Sequence, residues 1–131
     1  MSKNTVERTE GCHVVSFKAD PTKAIPKGCA VHVYDDYTVT PATGTGATGY
    51  TQGVSLEAHA SGAYDCIPVL LPGPVLRVLI GTGGVAPGNH VDGDQTVAGE
   101  WVVETSVPGG FALETASDGE ECDIVFVGEQ Y

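Results

Sequence analysis

Basic residues are scarce: 6 Lys and Arg stand against 17 Asp and Glu, giving a formal net charge of −11 over 131 residues. A field of that sign repels phosphate and anionic headgroups, so neither nucleic acid nor a membrane is expected as a partner. Helix signals are lacking too. No stretch places apolar residues at helical spacing free of Gly or Pro, and the longest apolar run, Ile67 to Ile80, is broken by Pro68, Pro72, Gly73, Pro74 and Arg77, which excludes a transmembrane helix. The first ten residues, MSKNTVERTE, contain no apolar signal core. The four cysteines, Cys12, Cys29, Cys66 and Cys122, form no CxxC pair and have no histidine at zinc-finger spacing. Free thiols made in a reducing cytoplasm are the expectation.

Recognisable chemistry is equally sparse. Gly81 to Gly88 is glycine-rich but lacks the Gly-Lys-Ser/Thr ending of a phosphate loop. Asp92-Gly93-Asp94, after Asn89 and His90, lacks the spacing and closing Glu of a calcium loop and reads as a hairpin turn, as does Asp35-Asp36. His13, His32, His59 and His90 are scattered and read as partly exposed strand or loop residues. An acid/base pair can be drawn from Glu57, Glu104 and Glu114, but no spacing in the sequence brings two of them together. The chain is therefore expected not to be an enzyme, and to use neither a cofactor nor a metal.

What is present is 18 Gly, 8 Pro and 41% hydrophobic residues, the composition of short strands joined by many turns. Strands are predicted at His13 to Phe17, Ala30 to Tyr34, Tyr37 to Thr40, Gly53 to Leu56, Asp65 to Leu71, Val75 to Ile80, Glu100 to Glu104, Gly110 to Glu114 and Cys122 to Val127. Val75 to Ile80 is apolar on both faces apart from Arg77, which predicts a central, covered strand. Pro68 predicts an edge or a bulge in its strand, and Thr40 to Gln52, rich in Gly and Thr, predicts a flexible surface loop.

The two halves are weakly similar. Gly53-Val54-Ser55-Leu56-Glu57 aligns with Gly110-Phe111-Ala112-Leu113-Glu114, and the same offset pairs Gly62 with Gly119 and Ile67 with Ile124. Upstream, Gly28 and Val31 align with Gly88 and Val91, and Thr38-Val39 with Thr96-Val97. The fold class expected is all-β: a small β-barrel or sandwich built from two weakly similar halves, with an extended N-terminal arm. Residues 1–18 form the arm and first strand, and residues 19–131 a single all-β domain. Each Leu of the Leu-Glu steps should face the core, and Cys66 and Cys122 should project from opposite faces of equivalent strands.

Pro26-Lys27-Gly28-Cys29-Ala30-Val31, Tyr37-Thr38-Val39-Thr40 and Gly53 to Glu57, with Gly62 and a valine-rich strand, together resemble the capsid cement (head decoration) proteins of tailed bacteriophages. The ending from Gly110 to Glu114, through Gly119-Glu120-Glu121 to Ile124-Val125-Phe126-Val127, is similar to that family's closing hairpin. The resemblance implies a homo-oligomer, often a trimer, made in the host cytoplasm. It would add to the outer capsid surface and bridge major capsid protein subunits. Lys3, Arg8, Val14, Val15 and Phe17 are the candidate capsid or self-association residues, because an extended arm can add a strand to a neighbour. A β-sandwich carbohydrate- or protein-binding module is the alternative, with Trp101, Tyr34, Tyr37, Tyr50, Tyr64 and Tyr131 available as an aromatic platform.

Overall fold

Glycines at positive φ close the turns between short strands, and Gly28 and Gly88 both take φ 81° at the entry to a strand. The computed structural model describes residues 13–44, 49–104 and 108–128, and among them there is no helix. The order is β1 (His13–Ala19), β2 (Ala30–Asp35), β3 (Thr38–Pro41), β4 (Gly53–Ser55), β5 (Cys66–Leu71), β6 (Val75–Ile80), β7 (His90–Gly93), β8 (Glu100–Val103), β9 (Gly110–Ala112) and β10 (Glu121–Phe126). The all-β, two-halved architecture is thus present, and each half closes its own five-stranded barrel: β1-β3-β2-β4-β5 and β10-β6-β8-β7-β9.

The internal repeat is written into the backbone hydrogen bonds. Ile25 and His59 exchange a pair of bonds outside the strands, and Val85 and Ala116 exchange the matching pair. Gly28 N–H donates to the Ser55 carbonyl as Gly88 N–H does to Ala112, both at 2.8 Å. Each barrel is sealed by one short parallel ladder, Lys18 and Ala19 against Thr38 and Val39 in the first, Leu79 and Ile80 against Glu100 and Trp101 in the second. These registers correct two alignments read from the sequence. Thr38-Val39 corresponds to Glu100-Trp101, whereas Thr96 lies in a turn where its N–H and hydroxyl both donate to Asp94. Ile124, opposite Ala112, corresponds to Val69, opposite Ser55, so Ile67 corresponds to Cys122. A slip of two residues keeps every side chain on its proper face, which is why residue types alone did not expose it. Cys66 is accordingly exposed and Cys122 buried.

Three further expectations change. His90–Gly93 is a strand rather than a turn, because Asp92 and Gly93 pair with Val102 and Trp101 and the turn begins only at Asp94. Pro68 sits in mid-strand opposite Ser16. Its carbonyl accepts from Leu56 N–H on the other side, so its ring nitrogen faces away from β1 and the ladder with β1 loses no donor. Val75–Ile80 is not covered on both sides: Val75, Leu76 and Leu79 are 37%, 42% and 39% exposed, and only Ile80 is fully buried.

The two cores differ in size. Phe17, Ile25, Val31, Val33, Val39, Ile67, Val69 and Leu71 fill the first barrel, and Phe111, Leu113 and Val125 of the second barrel join that same cluster. The second barrel's own cluster is built from Ile80, Val85, Val91, Ala112, Ala116, Cys122 and Ile124. β9 is buried on both faces for this reason: Ala112 points into its own barrel and Phe111 into its neighbour's core. Leu113 is likewise a core residue, as expected of the Leu-Glu step, but in the first barrel's cluster, whereas its counterpart Leu56 is only half-buried and joins neither cluster.

Candidate functional site

The densest polar chemistry lies where the barrels meet. Val33 N–H donates to Gln52 Oε1 at 3.0 Å, and Gln52 Nε2 donates to the Gly88 carbonyl at 2.9 Å. Gln52 is 4% exposed, although its segment was expected to be a surface loop. A Cβ on Gly88 would lie 2.1 Å from the Val33 carbonyl oxygen, so the two backbones approach as closely as glycine permits. Tyr37, held at φ 49°, donates its N–H to Leu113 O and its hydroxyl to Asp123. Burial, with the Asp123 carboxylate beside it, pushes that hydroxyl well above the ordinary tyrosine range. Arg77 bonds Asp123, Glu114 and Glu121 on the same side, and Glu114 also accepts from the Asp123 N–H. Glu114 is thereby a structural acceptor.

All four histidines were read as partly exposed, and the structure buries two of them, His32 and His59. His32 is 3% exposed with Nδ1 2.9 Å from Tyr50 O. His59 is 4% exposed with Nδ1 2.5 Å from Asp65 Oδ1 and Nε2 3.1 Å from Asp20 O. His59 is tolerated because both ring nitrogens find oxygen partners, and His32 has one through Nδ1. His90 stacks on Tyr50 with ring centroids 4.6 Å apart, and burial, then the neighbouring His32, lowers its pKa. A depressed histidine contributes stability fully above its unfolded value of about 6.5 and loses it as pH falls through the folded value. Between pH 7 and 5, His90→Phe, which keeps an aromatic ring on Tyr50, should lose less melting temperature than the wild type. Parallel losses in calorimetry would remove His90 from the pH response.

Among the described residues no three His, Cys, Asp or Glu side chains are grouped to hold a metal. Burial, aided by Glu114, pushes the Cys122 thiol up to about 11, far from a reactive thiolate.

The candidate interface residues fall in different places. Lys3 and Arg8 lie outside the described residues. Phe17 is fully buried in the first barrel's core, while Val15 packs against that core and Val14 is 51% exposed. β3 joins β1 only at Lys18 and Ala19, so among the described residues no strand pairs with the flank of His13 to Phe17 away from β5. The parallel ladders make Val14 and Val15 equivalent to Val75 and Leu76, where β6 likewise runs ahead of its pairing with β8. Phe126, 41% exposed, lies diagonally beside Leu76 on β10. Among the described residues the structure therefore presents two repeat-related strand starts, each apolar and each without a strand partner on one edge. The second escaped sequence reasoning because an all-apolar strand ordinarily signals burial.

No family model matches the chain, and no curated protein matches it. Among solved structures it is similar to the head fiber gp8.5 N base of bacteriophage phi29, at 18% identity and a TM-score of 0.38, over 91% of this chain and 99% of that one.

Proposed function

We propose that this chain is a structural virion protein that seats on the outer surface of a phage capsid and bridges neighbouring major capsid protein subunits. The observation that carries this reading is the pair of open, apolar strand starts, Val14-Val15 and Val75-Leu76, on a body of net charge −11. An open strand edge offers unpaired backbone groups and apolar side chains to an extended segment of a partner, and two such edges on one molecule can engage two subunits. Repetition over a shell multiplies modest contacts into stable decoration. The acidic charge supports an external position, since a lumenal protein of this sign is repelled by packaged DNA. Self-association, with a trimer favoured, would raise the number of edges per particle.

Purified protein mixed with undecorated capsids should co-sediment and raise the shell's melting temperature. Leu76→Asp combined with Val14→Asp should reduce binding by about tenfold or more, because each places a charge where an apolar contact forms. Absence of wild-type binding, or equal binding by the double variant, would count decisively against the reading.

A further inference from the structure

The first barrel carries a groove of about 540 Å³ that includes Lys18, Tyr34, Thr38, Tyr64 and Asp65 in its lining. Its floor is the outer face of the parallel ladder, where Lys18 is flanked by Thr38 and Cys66. Tyr34 reaches it because β2 is irregular between Val33 and Asp35, and an extra residue in a strand re-aims its side chain. Tyr34 is 44% exposed and Tyr64 89% exposed. Asp65 is fixed from behind by the buried His59, leaving its side chain half exposed to the groove.

The second barrel shows what the fold requires of these positions. Lys18 corresponds to Leu79, Thr38 to Glu100, Cys66 to Glu121 and the buried His59 to Ala116. A barrel of this design closes with alanine in place of His59, so barrel closure itself calls for neither a histidine–carboxylate pair nor a cation in the floor. Nothing in barrel closure calls for Tyr64 to stand in solvent.

We infer that this groove is a binding site for a neutral saccharide. Asp35 and Asp65 at the sides disfavour an anion, and Lys18, facing them from the floor, opposes a cation seated against it. A neutral polyhydroxylated ring meets both constraints: its hydroxyls donate to the carboxylates and accept from the ammonium, and its C–H faces lie against the tyrosine rings. The volume is that of a small-ligand site. This assignment does not depend on capsid binding, since the groove lies on the outer face of the first barrel and the strand starts lie at the other end of β1 and on β6.

The test is a printed array of neutral, sialylated and sulfated oligosaccharides with polylysine spots as a cationic probe, followed by titration of the retained glycan. Neutral glycans should be retained. Tyr64→Ala and Asp65→Asn should each weaken the dissociation constant by about tenfold, as expected for losing a stacked ring or a charged acceptor. Tyr64→Ala should keep the wild-type melting temperature, and both variants should still bind capsids as the wild type does. The inference is overturned if no neutral glycan is retained, if sulfated or sialylated glycans or polylysine are preferred, or if Tyr64→Ala binds like the wild type.

Discussion

Replacing Gly88 by alanine is expected to lower the unfolding free energy by about 3 kcal/mol or more, whereas the same change at Gly28 should cost about 1 kcal/mol. The two glycines occupy equivalent turns with the same φ of 81°, so the penalty for a left-handed L-residue is common to both. They differ in surroundings. A Cβ at Gly28 meets nothing within 4 Å, while one at Gly88 meets the Val33 carbonyl oxygen at 2.1 Å and His32 Nε2 at 3.1 Å. The excess loss at Gly88 therefore reports on the contact between barrels, since a backbone carbonyl cannot swing aside as a flexible side chain can. Urea titrations of both variants measure it. Equal losses would mean that the second barrel does not rest against β2.

The second large effect is expected at Gln52, where substitution by leucine should cost about 2–5 kcal/mol, because it strands one buried donor and one buried acceptor. The amide serves Val33 N–H on one barrel and the Gly88 carbonyl on the other. Leucine is close in size, so the loss reflects missing hydrogen bonds rather than a cavity. Thr51, exposed one residue earlier, is the control: its change to valine should move the urea midpoint very little. A Gln52→Leu protein with a midpoint near the wild type would show that water reaches the junction and replaces the amide.

Strand positions were legible from the sequence because each is bounded by residues with a physical reason to turn, and Gly28 and Gly88 were rightly singled out as turns at strand entries. His90–Gly93 was not, because Asp-Gly-Asp has turn chemistry and only its neighbours Trp101 and Val102 on one side and Phe111 on the other make it a strand. Register was legible only to within two residues at β5 and β10 and four at β3 and β8, even steps that leave facing unchanged. Contacts between the barrels were illegible. Gln52 ends a Gly/Thr-rich loop with no aliphatic anchor, and nothing local distinguishes it from a solvated glutamine. The groove was half legible: Tyr34 and Tyr64 were recognised as available aromatics, but their meeting depends on the irregularity in β2 and on a histidine that appears unremarkable in one dimension.

Phe111, Leu113 and Val125 lodge in a core whose other members all precede Pro72. A ribosome that has emitted only the first barrel's strands has thus released a sheet whose apolar end still awaits residues encoded about forty to fifty codons downstream, some two to ten seconds of synthesis at ordinary bacterial speed. Completion of the amino-terminal half is deferred until the carboxy-terminal half exists, and the translated order of the chain is not the order in which its parts become secure.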